Sequence, residues 1–310
     1  MEKSALSIRP IRDDDDLDEL HEGDNEWAGS ALARNMSASA GDAMVAFHVA
    51  EQDGRLVGYF DSFLPQEDNP TGVGFASVWV LPEARGRGVG AALLEALLPL
   101  ATARGARRLT ARVDSEDESS LRWIRAKGAT TGGTHLESTL ELTDDLPLLP
   151  PPDGVAVVVM PDSADEIAWR SAHEANVRLM RDTPDAETNP APMPYEIYRA
   201  LLAESWQLCL ARTDDGSIVG LTCVFPKNEK LRQVNTMLTG VNREWRGRGL
   251  ATALKTAHAI ALRDAGWRAI VTQNMDGNDH ILAANKRLGF RPSKALLDVL
   301  YDLPESIEAG

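Results

Sequence analysis

The chain repeats itself, and the repeat limits what it can fold into. "RGRGVG" at Arg85 to Gly90 returns as "RGRGLA" at Arg246 to Ala251, 161 residues later. Gly128 of "KGA" and Gly289 of "LGF" keep the same offset, as do Leu142 in "TLEL" and Leu303 in "LYDL". Upstream, "DGRLVGYF" (Asp53 to Phe60) matches "DGSIVGLT" (Asp215 to Thr222) at an offset of 162, so a one-residue indel separates about ninety matched positions. A period of this length is too long for a solenoid and reads as a tandem duplication of a domain-sized unit. The 310 residues suffice for two such domains. "TDDLPLLPPPDG" (Thr143 to Gly154) cannot continue a helix or a central strand, because of its prolines and glycine. The division expected is therefore a first domain at 1–146, a linker at 147–154 and a second domain at 155–310.

Each half reads alike. "AMVAFHVAEQDGRLVGYFDSFL" is two strands about a glycine-bearing hairpin turn, and "GFASVWVL" is a third strand. After the glycine motif, Val89, Leu93, Leu94, Leu97 and Leu98 recur at helical spacing, as do Leu250, Leu254, Ala257 and Ala261. A strand ("RRLTARVD", "RAIVTQN"), a short helix and a closing strand ("THLESTLEL", "ALLDVLYDL") follow. Hairpin strands followed by a βαβ crossover predict two α/β (α+β) folds, each a mixed, mostly antiparallel twisted sheet flanked by helices.

Composition narrows the function classes. The formal charge of −15 argues against nucleic acid as a partner. No apolar run reaches the roughly 18 residues of a membrane span, and "MEKSALSIRPIRDDDD" has no signal-peptide core. The expectation is a soluble cytoplasmic protein, a monomer or homodimer. Asp13 to Asp16 read as a solvated helix start. Cys209 and Cys223 lie in apolar runs and read as small buried hydrophobes, and no metal pattern is present.

The hexapeptide stands where a strand gives way to a helix. Glycines there let the backbone approach a ligand, and the unpaired N–H groups of a first helical turn gather positive potential suited to phosphate or pyrophosphate. Arg85, Arg87, Arg246 and Arg248 add charge. No Gly-Lys-Ser/Thr follows, which excludes a P-loop. "GRGVGA" formally fits a dinucleotide fingerprint, with Asp114 at the end of the next strand as a ribose-binding acid. Against it, "GRGLAT" breaks the pattern, "PEAR" intervenes before the glycines, and a hairpin precedes the motif.

The series Val80, Pro82, Arg85, Gly86, Gly88, Gly90 resembles the GNAT acyl-CoA N-acyltransferase superfamily, as does Val241, Arg246, Gly247, Gly249, Ala251, which closes with Leu288, Gly289 and Phe290. Tandem members include mycothiol synthase. The resemblance implies acetyl-CoA as co-substrate. Backbone amides of Arg85, Gly86, Arg87, Gly88, Val89, Gly90 and Ala91 would cradle its pyrophosphate, as would those of Arg246, Gly247, Arg248, Gly249, Leu250, Ala251 and Thr252. Strand backbone at Val78, Trp79 and Val80, and at Thr239, Gly240 and Val241, would pair with the pantetheine arm. That strand would splay from its neighbour, leaving an N–H to polarise the thioester, and an adjacent amine would attack directly. Asn274 and Asn278 match the family's Asn pair after the fifth strand and would bind pantetheine or fix local backbone.

The proton-handling residues depart from the family pattern. The tyrosine that serves other members as acid is replaced by Ile124 and Asn285, and neither strand before the motif carries a carboxylate; Gly74 and Asn235 stand there. Candidate catalytic residues are Asp61 within the strand "VGYFDSFL", Asp182 in "RLMRDTPDAE", and Asn285. "HEGDNEW" (His21 to Trp27) is a further acidic stretch in the region where acceptors bind, and His280 lies near the second motif. The second half keeps "NKRLGF", the Asn pair and a longer acceptor segment, and is expected to be the main catalytic unit. The leading reading is acetyl transfer to a small amine. The alternatives are a CoA-binding sensor without catalysis, mycothiol synthase, and a nicotinamide-dependent enzyme.

Overall fold

A computed structural model describes residues 6–16, 20, 45–65, 72–161, 163–184, 186, 192–204, 207–228 and 230–304. Among these, residues 6–132 and 297–304 form one compact unit, and 133–186 with 192–296 form a second. No helix among them is long and apolar enough to cross a membrane.

The first unit holds strands β1 (Leu6–Pro10), β2 (Val45–Gln52), β3 (Arg55–Phe63), β4 (Val73–Val80) and β5 (Arg108–Asp114), in that spatial order. The Asp53–Gly54 turn closes the β2–β3 hairpin with both residues at positive φ, as a two-residue primed turn requires. Helix α1 (Val89–Ala103) lays Val89, Leu93, Leu97 and Ala101 onto a core with Phe60, Leu81 and Leu109. Helix α2 (Glu118–Ala126) is capped by Asp117, which accepts from Ser120 N–H at 3.0 Å. Asp15 is held by arginine and backbone contacts, and residues 17–19, where the expected helix would begin, lie outside the described residues. Arg9 holds Asp15 in a fork (2.8 and 2.7 Å), Arg12 N–H adds a third bond, and the carboxylate is drawn in to 8% exposure.

The second unit orders its strands β7 (Val155–Val159), β8 (Gln207–Thr213), β9 (Ile218–Asn228), β10 (Gln233–Val241), β11 (Ala269–Met275) and β6 (Thr130–Glu141). Helices α3 (Glu166–Met180) and α4 (Tyr195–Glu204) precede β8; α5 (Leu250–Asp264) and α6 (Asp279–Leu288) flank β11 in sequence. A Cβ on Gly240 would meet Leu179 of α3 at 2.8 Å, whereas one on Gly220 would meet Leu254 of α5 at 3.0 Å. Gly220 pairs with Val241, the neighbour of Gly240, so α3 and α5 take opposite faces. Gly240→Ala is expected to cost about 1–3 kcal/mol in urea unfolding, because the Leu179 Cβ has to move.

The closing strands depart from the division drawn on the sequence. β6 follows α2 in the chain, yet pairs antiparallel with β11 over Ala269–Met275. β12 (Arg291–Asp302) follows α6, yet its end belongs to the first unit. There Arg108 bonds Asp302 at 2.6 Å and Leu303 N–H bonds Arg107 O at 2.9 Å. The prolines of 147–154 mark where regular structure stops; they do not fix which sheet edge a strand joins.

Candidate active site

Both glycine loops stand between a strand and a helix, with their glycines in matching conformations. Gly86 and Gly88 (φ 73 and 90°) match Gly247 and Gly249 (75 and 81°), all in the left-handed region. No side chain caps α1 or α5. The first intrahelical bonds run from Ala92 N–H to Gly88 O and from Ala253 N–H to Gly249 O, both 3.0 Å. The amides of Val89, Gly90 and Ala91, and of Leu250, Ala251 and Thr252, therefore have no helical acceptor. The arginines have a role the sequence reading missed: Arg85 Nε bonds Val80 O at 3.0 Å and Arg246 Nε bonds Val241 O at 2.9 Å, tying each loop to the end of its strand. At the position of Gly90 and Ala251 a Cβ would meet only ordinary contacts in the first unit. A Cβ at Gly90 would lie 3.4 Å from the Trp123 ring, and the residue 161 positions after Trp123 is the small Ala284.

Beside each cradle a strand parts from its neighbour. β4 and β5 pair in parallel only over Val73–Phe75 with Arg108–Thr110, and β10 and β11 only over Gln233–Asn235 with Ala269–Val271. Ala76–Val80 and Thr236–Val241 thus run free of β5 and β11. β10 also bulges at Met237, between Thr236 and Leu238, which β4 does not. The bulge sets the alignment of the repeats: Asn235 answers to Phe75 and not to Gly74, since both end the paired stretch.

The candidate proton carriers fare differently. Asp182 is engaged at the cradle: Arg243 donates to Oδ1 through Nη2 (2.5 Å) and Nε (3.0 Å), and Arg246 donates to Oδ2. The Arg243 hydrogen bonds, helped by the Arg246 charge, hold its carboxyl below the usual range. A carboxylate clamped by two guanidiniums is a poor base, which weighs against a proton-accepting role for Asp182. Asn285 is buried and donates to Asn274 Oδ1 at 2.7 Å, leaving its own Oδ1 unpartnered. It orients Asn274 and has no proton to give a thiolate. Asn278 precedes α6 without capping it. Asp61 is 5% exposed with Oδ1 unpartnered, and desolvation raises its carboxyl to about 7. Cys209 and Cys223 are buried thiols, and burial raises both. His280 is exposed, and residues 21–27 lie outside the described residues.

Two further groups escaped the sequence reading. Glu137 on β6 is 4% exposed in the second unit, where it meets Lys227 (3.5 Å), Gln273 (3.1 Å) and Ser293 (3.0 Å). Its alternating strand was visible; its destination was not. On α5, Lys255 lies buried with its ammonium 4.8 Å above the Phe290 ring, and His258 has both ring nitrogens unpartnered. Apolar helical spacing gave no hint of either.

Comparison with known proteins decides the family. The Acetyltransferase (GNAT) family matches residues 10–128 and again 173–290. The chain is a GNAT acetyltransferase. This tandem GNAT chain is 30% identical to a mycothiol acetyltransferase of Thermomonospora curvata, over 82% of this chain and 80% of that one. It is 31% identical to a mycothiol acetyltransferase of Kineococcus radiotolerans, over 84% and 82%. A solved tandem GNAT protein from the clavulanic acid biosynthesis pathway shares the fold, with a TM-score of 0.72 and 22% identity over 96% of this chain and 98% of that one. The family implies acetyl-CoA as acyl donor, and the open amides and free strand edges fit it. The nicotinamide and non-catalytic readings fall with this finding. Physically, the turn Pro82–Ala84 separates strand from glycines, where a dinucleotide fold needs a tight junction.

Proposed function

We propose that the protein transfers an acetyl group from acetyl-CoA to a small amine by direct attack in a ternary complex, with the second unit as the main catalytic unit. The observation that carries this is the coincidence, in each unit, of an uncapped glycine cradle with a strand that leaves its parallel neighbour after three residue pairs. The cradle amides bind the pyrophosphate, together with Arg87 and Arg248. The free edges at Val78–Val80 and Thr239–Val241 hold the pantetheine arm as an added strand. Bound acetyl-CoA supplies the acetyl group as a thioester. In the second unit the Met237 bulge turns the backbone of β10 out of its ladder, which frees an N–H to polarise the acyl oxygen. Asn285 fixes Asn274 beside that opening. Proximity supplies much of the acceleration.

A second reading, acetylation of a mycothiol precursor, draws on the relatives' names. A thiol-release assay over small amines, amino acids and a cysteinyl aminosugar separates the two; turnover confined to the aminosugar would replace the first reading by the second. Calorimetry with acetyl-CoA tests the cradles. The wild type is expected to bind two equivalents and Gly249→Val one. Nothing lies within 4 Å of a Gly249 Cβ, so the substitution acts through its left-handed φ alone. Unchanged stoichiometry would remove the pyrophosphate from this loop.

A further inference from the structure

Asp61 and Cys223 occupy the same place in the two repeats. Asp61 pairs across the ladder with Ser77, and Cys223 with Leu238, 161 residues after Ser77. Both stand beside the strand stretch that runs free of its parallel neighbour. A Cβ on Gly58 would meet Leu93 of α1 at 3.3 Å, so the face of Gly58, Phe60 and Ser62 is the cradle-helix face. Alternation puts Tyr59 and Asp61 on the other. Cross-strand partners share a face, which adds Phe47, Ser77 and Trp79.

The carboxylate on that face has little company. Desolvation raises its pKa, while hydrogen bonds from the Ser77 hydroxyl and from its own amide lower it; Oδ1 has no partner. Among the described residues no cation pairs with it. Its flanks are aromatic: Phe47 stacks on Tyr59 at 5.0 Å between centroids, and Tyr59 on Trp79 at 5.9 Å. Glu51, which alternates with Phe47 and Val49 on β2 and accepts from Arg9 of β1 at 2.8 Å, and Tyr59 are the other titratable side chains on this face of β2, β3 and β4; His48 stacks on Phe60 on the opposite one. A buried carboxylate without a counter-charge costs stability, and ring faces attract ammonium groups.

We propose that the first unit is a second active site, in which Asp61 seats a primary ammonium acceptor against the Phe47–Tyr59–Trp79 rings and takes its proton. The proposal rests on the acetyltransferase reading of the cradles. One ammonium proton passes to Asp61. The amine lone pair then forms the N–C bond at the acyl carbon as the C–S bond breaks, and a second nitrogen proton neutralises the thiolate. Asp61 afterwards releases its proton to solvent. In the second unit the same place holds a thiol that burial keeps protonated, so the two sites handle protons differently.

The test uses the full chain carrying Gly249→Val, which silences the second cradle, with butylammonium as probe. Adding Asp61→Asn is expected to lower thiol release about a hundredfold or more while acetyl-CoA binding stays at one equivalent. Equal rates with and without Asp61→Asn overturn the proposal, as does a Gly249→Val protein that binds acetyl-CoA and acetylates no amine. Loss of all acetyl-CoA binding in the wild type would instead overturn the cradle reading. A second readout needs no turnover. In carbon-13 NMR, the carboxyl resonance lost in Asp61→Asn should titrate near pH 7 and shift when butylammonium is added; an unresponsive resonance refutes the site.

Discussion

Replacing Lys255 by methionine is expected to stabilise the second unit at pH 7 by several kcal/mol. The lysine is 5% exposed, and burial lowers its ammonium from an ordinary 10.5 to about 7. The unfolded chain keeps its proton up to 10.5, while the folded chain releases it above about 7. Between these values the unfolded state binds more protons, so stability rises with pH across that window and is lowest at and below 7. Each tenfold change in proton affinity is worth about 1.4 kcal/mol, which sets an upper bound of about 5 kcal/mol on the cost of the charge. Methionine keeps an unbranched stem to fill the space over Phe290 and carries no charge. Burial and the Lys255 charge also press His258 down to about 3, so its imidazole stays neutral throughout this range. Urea unfolding of both proteins from pH 6 to 10.5 checks the result: the variant leads at pH 6 to 7 and the curves converge near 10.5. A variant less stable than wild type at pH 7 would show that the ammonium earns its place through a contact with ligand or solvent.

Asp61→Asn should stabilise the first unit with the opposite pH dependence. The carboxyl is raised from an ordinary 3.8 to about 7. Below 3.8 both states are protonated and the wild type carries no penalty. As pH rises from about 4 to about 7 the unfolded chain ionises first, and stability falls by at most about 4 kcal/mol. Asparagine removes the charge at similar volume, so its advantage grows through this window and levels above pH 7. Acid-to-neutral urea curves measure it. The same change is expected to abolish transfer in the first unit. Gain of stability with loss of activity is the signature of a functional group held at a cost. Loss of both would mean that Asp61 is structural.

The repeat made the fold legible before any coordinates. Two copies of a strand–glycine–helix junction in one register carried the family and the donor it implies, and marked the loops proposed as cradles, because each of these depends on local backbone chemistry. The splay was expected from the resemblance, and the pairing of Phe75 with Thr110 and of Asn235 with Val271 marks where it begins. The proton carriers were less legible. Asp182 and Asp61 looked alike in sequence as carboxylates near a site, yet one is clamped by Arg243 and Arg246 and the other is buried, bonded by the Ser77 hydroxyl with Oδ1 unpartnered. Environment separates them, and environment is made by residues far apart in the chain.

What the sequence by itself determined was therefore the local: the primed turn at Asp53–Gly54, the left-handed glycines, the helices that begin at Val89 and Leu250, and the family these identify. Tertiary structure decided the rest. Hydrophobic alternation says that "THLESTLEL" is a strand, and no more; the hydrogen-bonding edge it joins lies on β11 of the second unit, which carries Glu137 to Lys227 and Gln273. Pairing of strands and burial of charge are set by which surfaces meet, and a one-dimensional pattern holds the shape of each surface without its partner.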